Sequence, residues 1–324
     1  MEEKINFNFK KTKDLSTEEK SQINELYNVT FKNFINKKRS IEEFLFKYES
    51  NILGFSYHGM IKINDNVIGS YNVIPGEFLY FTEKKYFGQS VDTAISNKFK
   101  GNIYNLRKLS QGVYNMMIKD NINFVYGLPN RSFYKVKKKI LNWNDIGALN
   151  YYVYPVSFEN FLWKLKILNY PILFFCKLYN LFNFKYKKKN SFQIEKIGGN
   201  NFNKSRYDTS YSILKDEKYI IVYKKVNKEK YNNAQFIYVI DIFPFSNNLL
   251  ENAVKKISVK EKNVDLIIYL DIADLKINNM IKVPNFFFKV KANVSGKIIN
   301  KESVSENIFN KHNWQLNLSS FDVK

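Results

Sequence analysis

At 324 residues the chain can bury a full core and form two domains, and its 45% hydrophobic and 17% aromatic content excludes a disordered polymer. A lone cysteine, Cys176, excludes a disulfide framework, and only two histidines, His58 and His312, argue against a zinc site. The net charge of +21, from 51 basic and 30 acidic residues, would draw nucleic acid, anionic lipid or a polyphosphate cofactor. Only four of the basic residues are arginine (Arg39, Arg107, Arg131, Arg206), whereas nucleic-acid surfaces use arginine for bidentate contacts. A basic cofactor site on a lysine-rich background fits better than a nucleic-acid interface. The opening MEEKINFNFKKTK is charged rather than apolar, so no secretory signal is expected and a reducing cytoplasm fits.

In chain order, Ile5, Phe7 and Phe9 alternate as a first strand. Two helices follow, each opened by a capping-box pattern: Ser16 with Glu19, then Ser40 with Glu43. Ile23, Leu26, Tyr27, Phe31 and Phe34 form the apolar face of the first, and Phe44, Leu45 and Tyr48 that of the second. A β-meander comes next: FSYHGMIKI, a turn at Asn64 to Asn66, VIGSYNVIPGEFLYF, a turn at Thr82 to Lys84, and YFGQSVDTAIS. NKFKGN is a polar turn. From Ile103, apolar residues recur at helical spacing through Leu106, Leu109, Val113, Met116 and Met117. INFVYG reads as a buried strand, RSFYKVKK as a helix capped by Asn130, and NDIGALNYYVYPV as the closing strand of this half. A polar loop between a strand and a helix presents unpaired N–H groups and the positive helix end, a seat for phosphate.

Residues 157–190 are apolar and end in a basic run. The longest stretch free of charge, Ile167 to Cys176, is ten residues, too short for a bilayer span of about 20. Two readings stand for this piece: a buried helical connector, or an interfacial segment (158–189) whose Lys185, Lys187, Lys188 and Lys189 meet anionic headgroups of a membrane. Beyond it RYDTSYSIL, KYIIVYKKV and QFIYVIDIF read as strands, Asn247 to Glu261 as a helix, VDLIIYLDI as a buried strand, and NFFFKVKANV and NWQLNLSSFD as the end. The helix-entry loop of this half, PFSNN, has neither glycine nor a basic residue.

VDTAISNKFKGNIY, followed by FVYGLPN and, after a helix, by LNW, resembles the core of the GNAT superfamily of N-acetyltransferases, in the variant found among bacterial members. The resemblance covers roughly residues 1–156, and the second half looks like a degenerate repeat. It implies an α+β fold: a mixed, mostly antiparallel twisted sheet flanked by helices, in a domain of residues 1–156. A connector (157–190) and a degenerate GNAT-like domain (191–324) would follow.

The resemblance also assigns roles. Backbone of Thr93, Ala94 and Ile95 would pair with the pantetheine arm of acetyl-CoA, the co-substrate, as an added strand. Amides from Lys100 through Gly101 and Asn102 to Ile103 would hold its pyrophosphate, with charge from Lys98 in one register or Lys100 in another. Asn130 matches an asparagine found at the cofactor. In this family a neutral amine attacks the thioester directly, with one group taking a proton and another giving one to the thiolate. Asp92 and Glu77 are the candidate bases. Counting back from Trp143, the family's usual tyrosine acid is replaced by Lys138; Tyr134, one turn earlier, is the candidate acid. His58 reads as a satisfied strand residue.

The function implied is an acetyl-CoA-dependent N-acyltransferase acting on a small-molecule amine acceptor, such as an amino sugar of surface polysaccharide assembly. Alternatives are an aminoacyl-tRNA-dependent transferase, which also uses paired halves of this type, and a non-catalytic binding module.

Overall fold

The computed structural model describes residues 5–33, 37–96, 103–157, 170, 171, 174, 178, 192–197, 207, 210–229, 233–284 and 292–321. They fall into two units. The first takes residues 1–147, 200–206 and 293–310; the second takes 148–199, 207–292 and 311–324. Domains of 1–156 and 191–324, as read from the sequence, are therefore not the units that form. NDIGALNYYVYPV is two strands rather than one, and a late strand of the chain belongs to the first unit. The 157–190 connector and its lysine run lie outside the described residues, apart from Ser157 and the helical positions Tyr170, Pro171, Phe174 and Leu178. Among the described residues no helix is long and apolar enough to cross a membrane.

In the first unit β1 (Ile5–Lys11) runs antiparallel to β2 (Tyr57–Ile63), β2 to β3 (Asn66–Tyr80), and β3 to β4 (Glu83–Ile95). The β2–β3 turn is closed by Asn64 and Asp65, both at positive φ (47° and 65°), the geometry of a tight hairpin turn and one that Asn and Asp tolerate. The next turn lies at Phe81 and Thr82, so β4 starts at Glu83 inside the expected turn. Helix α3 (Ile103–Lys119) then crosses to β5 (Ile122–Gly127), which lies parallel to β4. After α4 (Arg131–Leu141) and β6 (Asn144–Ala148), the sheet is completed by a strand from much later in the chain, which we number β14 (Asn293–Ile298). It is antiparallel to β5, and the order is β1-β2-β3-β4-β5-β14-β6.

One face of this sheet is covered by α1 (Thr17–Thr30) and α2 (Ile41–Glu49), whose Ile23, Leu26, Phe44 and Tyr48 pack on Met60, Val67, Val91 and Ala94. The other carries α3, with Leu106, Leu109, Val113 and Met117 against Tyr57, Ile61, Tyr71 and Val73. Gly112 lets α3 approach β1: a Cβ there would meet the Phe9 ring at 2.1 Å. Both capping boxes form, with Ser16 and Ser40 accepting from the amides of Glu19 and Glu43 at 3.1 and 3.2 Å.

The second unit also holds a mixed sheet with one parallel pair joined through a helix. Its sheet contains β7 (Asn150–Pro155), β9 (Ser212–Lys215), β10 (Ile220–Lys228), β11 (Ala234–Phe243), β12 (Leu266–Asp271) and β13 (Ile281–Val283), in the order β13-β7-β12-β11-β10-β9. Helix α5 (Asn247–Lys260) links the parallel pair β11 and β12 and buries Leu250, Ala253, Val254 and Ile257. The short strands β8 (Ile194–Lys196) and β15 (Trp314–Gln315) pair in parallel.

Glu19 is more than a cap. Its carboxylate accepts from Lys10 and Lys62, each at 2.9 Å, as well as from the Ser16 amide. Burial pushes this carboxyl up, but the bonds from Lys62, Lys10 and Ser16 outweigh it and hold it at about 2. A group depressed in this way stabilises the fold above its unfolded value of about 4.5 and loses that contribution as pH falls through 2. Glu19→Gln should cost about 2–3 kcal/mol at pH 7 in urea unfolding, and the difference from the parent should vanish as pH drops from 4.5 towards 2. A pH-independent difference would contradict the assignment.

Candidate functional site

The site is built where β4 and β5 part. Their parallel pairing runs Tyr86↔Ile122, Gly88↔Val125 and Gln89↔Tyr126 and extends no further among the described residues. β4 continues to Ile95 with β3 alone, Ala94 facing Ser70 and Ile95 facing Gly69. β5 ends at Gly127 and its chain turns into α4. Past Gln89 one edge of β4 therefore has no strand partner among the described residues.

The cause is a bulge. Register with β3 shifts between Ser70 and Asn72, and Asp92 sits in it at a φ of +45°. An extra residue on one strand bends that strand and sharpens its twist. Asn72 Nδ2 donates to the Asp92 carbonyl at 3.1 Å, satisfying the backbone the bulge leaves unpaired. Asn72 is oriented in turn by His58, whose Nδ1 lies 2.9 Å from its Oδ1 while Nε2 lies 2.9 Å from Thr12 Oγ1. Burial lowers the imidazole to about 4, so His58 is neutral at pH 7, a satisfied strand residue.

The Asp92 side chain points to the α1–α2 face. One oxygen, Oδ2, accepts from Arg39 Nη1 at 2.6 Å, Lys47 Nζ at 2.8 Å and Tyr48 Oη at 2.8 Å. Arg39 is itself fixed over the Tyr27 ring at 3.8 Å and donates to Asn24 Oδ1 at 2.7 Å. Burial pushes the Asp92 carboxyl up, but the attraction of Lys47 and Arg39 and the bonds from Lys47 and Tyr48 prevail and set it at about 2. Such a carboxylate is a poor proton acceptor at neutral pH. The geometry makes Asp92 a clamp that fixes the bulge, in place of the base expected from the sequence.

Glu77 is also displaced from a base's position. It faces Tyr86 on the fully paired part of the β3–β4 hairpin, before the strands part, with Lys84 Nζ 3.8 Å from its Oε1. Tyr134, the candidate acid, lies on the exposed side of α4. Its hydroxyl donates to Asp145 Oδ1 at 2.6 Å, and Lys138 donates to the other oxygen of the same carboxylate at 2.5 Å. Asn130 caps α4 and accepts from the Phe133 amide at 2.9 Å. Thr93, Ala94 and Ile95 lie on the parted segment as expected. The Ser96 amide donates to the Ile68 carbonyl, so strand alternation turns the Ala94 amide towards β3 and that of Ile95 towards the open edge. The Asp92 carbonyl accepts from Asn72 on β3, which turns the Thr93 amide of the same trans peptide the other way. Lys98, Lys100, Gly101 and Asn102 lie outside the described residues, and of Ile103 only the backbone, the first residue of α3, is described.

The side chain that does reach the point of parting is one the sequence reading passed over. Lys137, on α4, is 2% exposed. Its Nζ lies 3.8 Å from the centroid of the Trp143 ring. A Cβ on Gly127 would be 3.1 Å from that Nζ and 3.1 Å from the Ser90 carbonyl oxygen, which puts the amine where β4 and β5 separate. Behind it run Trp143 Nε1 to Tyr114 Oη at 3.1 Å and Tyr114 Oη to Tyr71 Oη at 2.9 Å. Burial alone lowers the Lys137 ammonium to about 7. A signal was present: Lys137 follows Phe133 and precedes Leu141 by four residues, on the apolar stripe of its helix.

The second unit has the same parting, and its own chain fills it. Register between β10 and β11 shifts at Val222/Tyr223, and β11 and β12 cease pairing after Val239↔Tyr269. Leu316 exchanges bonds with β12, accepting from the Ile272 amide at 3.0 Å and donating to Asp271 Oδ1 at 3.3 Å. Asn317 bridges to Asp271 and donates to Asp241 Oδ1 at 3.1 Å.

No protein-family model and no curated protein matches the chain. Solved structures do. A GCN5-related N-acetyltransferase from Anabaena variabilis is similar with a TM-score of 0.57 at 13% identity, over 90% of this chain and 73% of that one. Eis1 from Mycobacterium abscessus gives 0.55 at 9%, over 93% and 75%. Saccharomyces cerevisiae N-myristoyltransferase with bound myristoyl-CoA gives 0.50 at 9%, over 90% and 78%.

Removing the clamp's negative charge would take away the carboxylate that the buried Arg39 guanidinium and the Lys47 ammonium both bond. Asp92→Asn should therefore cost about 3–5 kcal/mol in urea unfolding at pH 7. A stability within 1 kcal/mol of the parent would rule out the clamp.

Proposed function

Because the chain has the fold of the GCN5-related N-acetyltransferases, we propose that it transfers an acyl group from acyl-CoA to a primary amine. The observation that carries this reading is the open edge of β4 past Gln89, on which an extended arm can be laid as one more strand. The pantetheine amides pair with Thr93 and Ile95. The pyrophosphate sits at the start of α3, where helix amides and the charge of Lys98 or Lys100 favour an anion. Asn130, at the mouth of the opening, remains a contact for the cofactor. The amine nitrogen, uncharged, attacks the thioester carbon; the carbon–sulfur bond breaks, and CoA leaves as its thiol.

The acyl donor is acetyl-CoA and the acceptor a small amine, with amino sugars the favoured class. Lysine supplies most of the net charge of +21, which suits a polyphosphate cofactor and an anionic acceptor. A peripheral membrane contact through residues 158–189 belongs to this reading; two of that segment's described side chains, Tyr170 and Phe174, are exposed (77% and 59%).

Titration calorimetry with acetyl-CoA, CoA and tRNA in parallel tests the assignment. Both acetyl-CoA and CoA should bind at micromolar concentrations; binding of tRNA alone would replace this function with an aminoacyl-tRNA-dependent one. Ile95→Pro removes an amide from the open edge and none from the β3 ladder. It should weaken acetyl-CoA about tenfold, the worth of one hydrogen bond, and shift the urea midpoint little. An unchanged affinity would take the cofactor off this edge.

A further inference from the structure

Lys137 is a costly residue for the fold. An amine that is 2% exposed, with burial lowering its proton affinity, no hydrogen-bonded carboxylate beside it among the described residues and the ring faces of Trp143 and Phe133 to favour its charge, is a stability liability at neutral pH. Met or Leu would fill the same stripe between Phe133 and Leu141. Its place explains why an amine is there. On the acyl-CoA reading, on which this inference rests, the arm runs from the start of α3 back along β4. Ser90 to Ile95 spans about 17 Å at 3.4 Å per residue, the reach of an extended pantetheine. The thioester then arrives at the apex, beside the Ser90 carbonyl and Gly127, where Lys137 Nζ lies.

We propose that the Lys137 ammonium is the acid that protonates the sulfur of departing CoA. The amine attacks and forms the carbon–nitrogen bond; the carbon–sulfur pair collapses onto sulfur; Lys137 gives sulfur its proton. The proton shed by the acceptor nitrogen passes through water back to the Lys137 amine, so the enzyme returns to its starting state. Tyr134 and Lys138, both bonded to Asp145 on the exposed side of α4, take no part.

Chemistry favours such a donor. A thiol ordinarily titrates near 8.5 and a lysine near 10.4, so an ordinary lysine is too weak an acid to protonate a thiolate downhill. Burial has brought Lys137 to about 7, and an ammonium beside sulfur lowers the thiol in turn, so the two are matched and the proton crosses at little cost. The ionisable groups on the elements packed around α4 leave that burial uncompensated. Tyr114 on α3 is pushed up to about 12 by burial and stays neutral. Arg107 donates to the Ile140 carbonyl, Lys297 to that of Leu141, and Asp145 is committed to Lys138 and Tyr134.

The test follows the thiol of bound CoA and needs no knowledge of the acceptor. Ultraviolet absorbance of the thiolate is titrated against pH for CoA bound to the parent protein and to Lys137→Met, with acetyl-CoA affinity measured alongside. The parent should hold the thiol well below its ordinary value, and Lys137→Met should return it to that value or above while acetyl-CoA affinity stays within about threefold. Met removes a buried charge, so this variant should melt at or above the parent temperature. With any amine the parent acylates, Lys137→Met should lower kcat by about 10²–10⁴-fold, and Lys137→Arg, a cation that does not release its proton, should not restore it. Identical thiol titrations in a parent and variant that both bind CoA would overturn the role of Lys137 and leave the acyl-CoA function standing. Acetylated Lys137 in the resting cycle would likewise overturn it, as an acceptor in place of an acid. Failure of the parent to bind CoA would overturn the acyl-CoA reading and this inference with it.

Discussion

Asp92 turns β4 through a left-handed residue, and the bonds from Arg39, Lys47 and Tyr48 to one of its oxygens hold that turn in place. A non-glycine residue at such a φ costs on the order of 1–2 kcal/mol. Two buried cations gathered on one carboxylate offset that cost, through bonds of 2.6 and 2.8 Å. Everything that gives the site its shape descends from this. The bulge swings the end of β4 away from β5, the swing exposes a strand edge, and the edge leads from the start of α3 to Lys137. A carboxylate that looks chemical in the sequence is structural here, and a lysine that looks like surface lies at the apex.

The second unit shows what the same device does when it is not kept open. β10 and β11 shift register, β11 and β12 part, and the segment from Trp314 to Phe321 occupies the gap, with Asn317 reaching from Asp241 to Asp271. Asp271 is held there by bonds from Tyr269, the Ala273 amide and Gln315. Its burial pushes the carboxyl up to about 6 even so. A parting filled by buried Leu316, Leu318 and Phe321 has no edge left for a cofactor arm. The lack of glycine and basic residues in the PFSNN loop agrees with this: a unit that offers no edge needs no phosphate seat.

Local chemistry was legible in the sequence wherever it is set by neighbours a few residues apart. Ser16 with Glu19 and Ser40 with Glu43 announced their helices, Asn64 and Asp65 their hairpin, and the spacing from Ile103 to Met117 gave α3. Long-range pairing was not. NDIGALNYYVYPV reads as one strand because nothing local says that β6 and β7 join different sheets, and nothing near Asn293 says that β14 pairs with β5. Asp92 in VDTAIS carries no mark of partners 45 and 53 residues earlier. Lys137 was the readable exception, a charged residue at an apolar position of an amphipathic helix.

The central claim is that the parted edge of β4 is the cofactor's seat, and amide hydrogen exchange read residue by residue addresses it directly. In the unliganded protein the Ala94 amide, directed at β3, should exchange slowly, and those of Thr93 and Ile95 fast. Acetyl-CoA should slow Thr93 and Ile95 by at least about tenfold, as expected if each gains a hydrogen bond, and leave β11 unchanged. Acetyl-CoA that binds without slowing those two amides, or that protects β11 instead, would contradict the claim.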